Sequence, residues 1–126
     1  MQRVRESGYR VVPVPGANAA ISALSAAGIM NPYILFYGFL PTKSGLRKRE
    51  LMALKSHPYT LILYEAPHRI LECITDMIDI FGAQREITLA RELTKLFETI
   101  HSGTLADALS WLQADTNQQK GEFVLL

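Results

Sequence analysis

Apolar residues along the chain fall in short runs separated by polar or glycine-containing stretches, and the period of each run predicts its element. Residues 60–69, T-L-I-L-Y-E-A-P-H-R, are the centre of the pattern. Leu61, Ile62, Leu63 and Tyr64 are apolar without alternation, as expected of a strand covered by helices on both faces. The run stops at Glu65. Pro67 then suits the first turn of a helix, which should continue to about Phe81 with Ile70, Leu71, Ile74, Met77, Ile78 and Phe81 as its core stripe, ended by Gly82.

The other segments follow the same logic. Residues 1–7 resemble the last turns of a helix closed by Gly8. Residues 10–15, R-V-V-P-V-P, predict a short strand that Pro13 confines to a sheet edge. Residues 17–28 predict a helix of very small side chains, with Asn18 as N-cap and Ile21 and Leu24 as its only large apolar residues. A second buried strand is expected over 34–40, where Gly38 marks a bulge or a close approach. Ser44 is expected to cap a helix to about Ser56, with Leu46, Leu51 and Leu54 inward. Strands over 86–91 and 97–102 should be antiparallel, since only a short polar turn joins them. Thr104, with Asp107 in the first turn, opens a helix over Leu105, Leu109 and Leu112, with Trp111 at its side. Residues 122–126 predict a last strand. The sum is an α/β domain with a mixed β-sheet flanked by helices, about six strands and four helices.

Composition narrows the class. The chain has 126 residues, one domain by length, and its 48% hydrophobic content suffices for a core. Its apolar runs fall far short of the roughly 20 residues that cross a bilayer, and no leader pattern opens it, so a cytoplasmic protein without membrane contact is expected. Cys73 has no partner for a disulfide and no neighbour at metal-ligand spacing, so it is expected in the core and no metal site is predicted. Phosphate-loop, dinucleotide-fingerprint, zinc-protease and nucleophile-elbow motifs are all missing.

Charge is more informative in its distribution than in its total of +1. Residues 43–55 hold five basic side chains, Lys43, Arg47, Lys48, Arg49 and Lys55, against the single acid Glu50, a local balance of +4. This is either a solvated helix face or, with the K-S-G loop before it, an element that contacts phosphates. The second polar cluster, Glu65, His68 and Arg69, falls at the carboxyl end of an interior strand, where α/β sheets bind ligands. Equally, it caps the next helix and pairs within itself. The P-G-A-N helix start offers free amides to an anionic group, or is simply a turn.

Three segments carry a resemblance: P-V-P-G-A-N-A-A-I-S-A-L-S-A-A-G (13–28), L-I-L-Y-E-A-P-H-R (61–69) and A-R-E-L-T-K-L-F-E-T-I-H-S-G (90–103). In order and spacing they resemble the tetrapyrrole (corrin/porphyrin) methylase superfamily, in particular the branch that methylates small-subunit ribosomal RNA on a cytidine ribose. G-F-L-P-T-K-S-G and K-G-E-F-V-L agree with it. The likeness covers essentially the whole chain, and E-A-P-H-R with R-E-L-T-K is specific to that branch.

This resemblance implies a two-domain fold with S-adenosylmethionine in the cleft between the domains. Residues 1–126 then correspond to the C-terminal domain, without the N-terminal domain and inactive alone, which would account for ends that look trimmed. It places Asn18, Ala19, Tyr64, Glu65 and Leu93 near the cofactor, largely through backbone groups. Glu65 stands where tetrapyrrole-modifying members often have methionine. Candidate bases for the ribose hydroxyl are Glu65, His68, Glu92 and Glu98. Arg69, Arg91 and Lys95 would neutralise phosphates near the reacting ribose, and Lys43, Arg47, Lys48 and Arg49 would grip the RNA backbone further out. The implied partners are small-subunit ribosomal RNA or the assembled small subunit, and a second copy in a homodimer. Two rivals remain: methylation of a corrin or porphyrin, for which the charged strand tips are unsuited, and a non-catalytic docking module.

Overall fold

In the computed structural model, which describes residues 1–126, the elements run α1 (Gln2–Glu6), α2 (Ala19–Ala27), β1 (Ile34–Phe39), α3 (Ser44–Leu54), β2 (Thr60–Glu65), α4 (Ile70–Phe81), β3 (Glu86–Arg91), β4 (Thr99–Thr104), α5 (Leu105–Ala114) and β5 (Phe123–Leu125). Short 3-10 turns at Pro67–Arg69 and Thr116–Gln119 precede α4 and β5. The strands form one mixed sheet in the order β1-β2-β5-β3-β4. β1 and β2 are parallel, β5 lies antiparallel between β2 and β3, and β4 folds back antiparallel on β3. As a result β1, β2 and β3 all end at the same edge of the sheet.

Alternation within the strands sorts side chains between two faces. Leu63, Ile87, Leu89, Phe123 and Leu125 point to the face covered by α3, α4 and α5, where they meet Leu51, Ile70, Cys73, Ile74, Met77, Leu105 and Leu112 in the larger core. Ile62, Ala90 and Val124 point to the other face, where Ala20 and Ala23 of α2 press against them. Small side chains thus let α2 lie close on the sheet, while Ile21 on the same helix is exposed. One nine-residue helix cannot cover this face, and Phe36 and Phe39 remain more than half exposed on it.

Local chemistry sets the boundaries. The side chain of Asn18 accepts the Ile21 amide at 3.0 Å and caps α2, and Gly28 closes it in the left-handed conformation. Thr104 and Asp107 cap α5 reciprocally, Thr104 Oγ1 accepting from the Asp107 amide at 3.1 Å and Asp107 Oδ2 from the Thr104 amide at 2.9 Å. Gly38, at φ +84°, takes up the bulge in β1 between the pairs Phe36–Ile62 and Gly38–Leu63.

Several expectations are corrected. Residues 10–15 form no strand and are exposed throughout, because Pro13 and Pro15 lack amide donors and no neighbouring strand offers a ladder. The sheet therefore has five strands rather than six. Lys43, not Ser44, is the N-cap of α3; Ser44 is already helical, and its hydroxyl donates to Asp76. Leu46 faces solvent, and its expected inward place is taken by Arg47, which shares the stripe of Leu51 and Leu54. β3 is buried from Ile87 to Arg91 instead of alternating, since helices cover both of its faces. β4 starts at Thr99, two residues later than the pattern suggested.

Candidate functional site

The edge where β1, β2 and β3 end gathers the loops 40–43, 66–69 and 92–98, together with 120–122 entering β5. α2 reaches the same edge by its first turn: its last residue, Ala27, and Gly28 line a cavity at the opposite edge, beside the beginnings of β2 and β3. Asn18 and Ala19 are exposed there, and Tyr64 and Leu93 pack beside the α2 cluster. Four of the five residues singled out for a cofactor therefore share one face and one edge. Glu65 does not: alternation turns its side chain to the helical face, where it is buried.

Glu65 is fully engaged in its place. Its Oε1 accepts the Ala66 amide at 2.8 Å and pairs with Arg69 Nε at 3.0 Å. Burial, and then the charge of Glu65, push the Cys73 thiol well above its ordinary value, so that cysteine is an inert core residue. Glu65 and Arg69 act here as the brace of the turn that leads from β2 into α4.

The loop after β3 is built on buried Arg91, which donates from Nη1 to the Lys120 carbonyl at 2.9 Å and from Nη2 to the Phe97 carbonyl at 3.2 Å. One guanidinium thereby fastens both 92–98 and 120–122. Above it, Glu92 Oε1 accepts the Glu122 amide at 2.8 Å and Lys95 Nζ at 3.1 Å. The Glu122 amide, then Lys95, hold the Glu92 carboxyl below its usual range, while Glu92 and Glu122 raise Lys95. Glu98 accepts the Thr94 amide at 2.6 Å. Glu92 and Thr94 take left-handed backbone angles, φ 52° and 66°, which these contacts maintain.

The basic segment is divided by burial. Arg47, expected on an exposed face, is completely buried and donates to Asp76 Oδ2 at 2.8 Å, to the Thr42 carbonyl at 2.8 Å and to the Pro41 carbonyl at 3.2 Å. It organises the 40–43 loop from below and presents no charge to solvent. Lys48 pairs with Asp79 at 2.7 Å. Lys43 and Arg49 are exposed and form no ion pair within the chain, and His68 is exposed and makes no side-chain hydrogen bond. Accessible, unpaired positive charge in this segment therefore comes from Lys43 and Arg49, and from Lys55 at the far end of α3, with Lys48 and, outside the segment, Lys95 partly neutralised.

Sequence patterns missed the aromatic surface beside these groups. Phe36 and Phe39 stand edge-on to Tyr64, with ring centroids 5.2 and 5.7 Å away. F-Y-G-F around the bulge was its only signal: the extra residue lets Phe36 and Phe39, three apart, face the same way. The amides opening α2, a first turn without acidic side chains, and this half-open apolar face suit a ligand that combines a carboxylate with a flat ring.

Known proteins share this sequence and this fold. The family model described as tetrapyrrole (corrin/porphyrin) methylases matches residues 1–109. The ribosomal RNA small subunit methyltransferase I of Pseudomonas aeruginosa is 52% identical over 126 residues, all of this chain and 45% of that protein. Its counterpart in Vibrio cholerae is 50% identical over 122 residues, 97% of this chain and 42% of that protein. The chain thus spans less than half the length of these curated relatives. Among solved structures, a cobalt precorrin-4 methyltransferase of cobalamin biosynthesis superposes over 98% of this chain and 54% of its own, with a TM-score of 0.65 and 15% identity. The methyltransferase CobJ does so over 98% and 53%, with a TM-score of 0.64 and 17% identity. At such identities these two structures speak for the fold alone.

Proposed function

The chain belongs to the tetrapyrrole (corrin/porphyrin) methylase family, and from that premise we propose that it is the C-terminal domain of an S-adenosylmethionine-dependent enzyme that methylates a cytidine 2′-hydroxyl in small-subunit ribosomal RNA. The observation that carries this is the identity of about half of all positions, over the whole chain, to ribosomal RNA small subunit methyltransferases I. The acceptor is the RNA or the assembled small subunit, in the cytoplasm, and the intact enzyme works as a homodimer. No helix is long and apolar enough to cross a membrane.

The cofactor supplies a methyl group activated on a sulfonium. The first turn of α2 at Asn18 and Ala19 would hold its carboxylate, with Tyr64 and Leu93 beside its apolar part. For this chain the work is to align the ribose hydroxyl with that methyl group and to take the hydroxyl proton. His68 is the candidate base left free: its imidazole is exposed and makes no side-chain hydrogen bond. Glu65 is buried and braced by Arg69, and Glu92 is stabilised in its charged form, which weakens it as a base. Lys43, Arg49 and Lys95 supply the phosphate contacts, whereas Arg47 and Arg91 hold the loops that carry them. Phe36 and Phe39 offer stacking surface to an unpaired base.

The test is methyl transfer by the intact two-domain enzyme from labelled S-adenosylmethionine, with small ribosomal subunits and a porphyrin precursor offered in parallel. Label in the ribosomal RNA supports the proposal; label in the porphyrin alone refutes it.

A further inference from the structure

The loop that joins β3 to β4 holds two residues in a conformation that side chains avoid. Glu92 at φ 52° and Thr94 at φ 66° both lie in the left-handed region, with Leu93 between them. For Thr94 the conformation is especially unfavourable, because the branch at its Cβ crowds the backbone. A glycine would relieve it, yet the chain carries threonine there. The strain is therefore borne by contacts, and a carboxylate serves each of the two residues.

Glu92 is held by itself: its Oε1 accepts the Glu122 amide, and its own amide donates to the Glu122 carbonyl at 3.0 Å. Thr94 depends on a residue four positions on. Its amide donates to Glu98 Oε2 at 2.6 Å, and this is the one hydrogen bond that the Glu98 carboxylate makes, since Glu98 takes part in no ion pair. Glu98 stands on a fixed base. Its amide donates to the Lys95 carbonyl at 3.1 Å, and the carbonyl of Phe97 before it is tied to buried Arg91. Between the two left-handed residues, Leu93 packs on the α2 face of the sheet beside Ala20, Ala23 and Val124, where Tyr64 also lies.

We propose that Glu98 is a positioning residue for the cofactor: its carboxylate locks Thr94 in the left-handed conformation and so keeps Leu93 against the apolar part of S-adenosylmethionine. This rests on the reading that places the cofactor at the first turn of α2, Tyr64 and Leu93. In this role Glu98 touches neither the methyl group nor the ribose hydroxyl, and it exchanges no proton with them. Without the lock, Thr94 returns to ordinary backbone angles and fewer molecules hold Leu93 ready. The left-handed form of such a residue is disfavoured about five- to thirtyfold in population, and apparent cofactor affinity falls by the same factor.

The test uses the intact two-domain enzyme and two readouts, calorimetric binding of S-adenosylhomocysteine and hydrogen exchange of the Thr94 amide without ligand. Glu98→Ala should weaken binding about five- to thirtyfold and speed the exchange. Glu98→Gln keeps an accepting oxygen, so it should bind nearly as the parent does and retain turnover on small ribosomal subunits. Thr94→Gly removes the strain, and adding Glu98→Ala to it should cost much less affinity than in the parent. An equal loss in both backgrounds overturns the proposal. So does a Glu98→Gln enzyme that binds normally and loses turnover, which is the mark of a base. Faster exchange with unchanged binding overturns it too, by taking Leu93 out of the cofactor site. Neither binding nor exchange involves the methyl acceptor, so failure of the RNA reading would leave both results standing.

Discussion

Arg47 on α3 and Asp76 on α4 form a buried ion pair, Nη1 to Oδ2 at 2.8 Å, across 29 residues of sequence. Burial is the largest single influence and disfavours the charged guanidinium, but the bond to Asp76 and the surrounding charges, those of Glu72 and Asp76 among them, together outweigh it and the pKa of Arg47 rises. Ser44 Oγ donates to the same carboxylate, at 2.9 Å to Oδ2, so one acid anchors the first turn of α3. Because Arg47 also holds the carbonyls of Pro41 and Thr42, the pair fixes the path of the loop leaving β1 at the candidate site.

Replacing Arg47 by Met leaves Asp76 buried without its partner. Such losses cost about 3–5 kcal/mol, and urea denaturation of Arg47→Met should show a fall of that size. The double replacement with Asp76→Leu should recover much of it, because an apolar pair leaves no charge stranded.

Lys43 and Arg49 should carry the RNA contacts of this segment. In the intact enzyme, Lys43→Ala with Arg49→Ala should reduce the slope of log affinity against log salt by roughly 0.7–0.9 for each phosphate that is no longer neutralised. A slope that does not move removes both from the interface. Lys48→Ala should change it less, since Asp79 already holds that ammonium at 2.7 Å.

Acid should loosen α5 and the 92–98 loop. Asp107 is held below its usual range by the Thr104 amide and then its hydroxyl, and Glu92 by the Glu122 amide and then Lys95. A carboxyl with a depressed folded-state pKa contributes stability that is fully present above its unfolded value and is lost as pH falls through the folded one. Stability should therefore decline from about pH 4 downward, and a Thr104→Ala variant, which loses about 1 kcal/mol from its cap at neutral pH, should decline less steeply. Denaturation midpoints between pH 2 and 7 would check this.

Gly121 should tolerate no side chain. Its φ is +95°, and a Cβ there would collide with the carboxylate of Glu92. Gly121→Ala should cost more than about 1 kcal/mol and release the 92–98 loop, seen as faster amide exchange at Glu122. Adding Glu92→Ala should restore only the steric part.

Much of this architecture was legible in local patterns, for reasons that also mark where legibility ends. The unbroken apolar run of β2 declares an interior strand, Gly38 its neighbour's bulge, and the alanines of α2 a close-packed helix, because each depends on residues adjacent in sequence. The partners of β5 lie some 35 and 60 residues away, so its central place could not be inferred from its own three residues. Arg47 looked like one charge among several; its burial depends on Asp76, although its spacing with Leu51 and Leu54 on one helical stripe was an available sign. Residues 10–15 misled in the other direction, since valines suggest a strand but two prolines and a missing neighbour deny it a ladder. At the site, residue types were legible and directions were not: Tyr64 and Glu65 are adjacent, yet they point to opposite faces of the sheet.

The most direct measurement is nucleoside mass spectrometry of small-subunit ribosomal RNA after incubation with the intact enzyme and S-adenosylmethionine. A new 2′-O-methylcytidine is the predicted product, lost when the cofactor is omitted. Methylation confined to a base, or RNA left unmodified by an enzyme that consumes the cofactor on another acceptor, would contradict the proposed function.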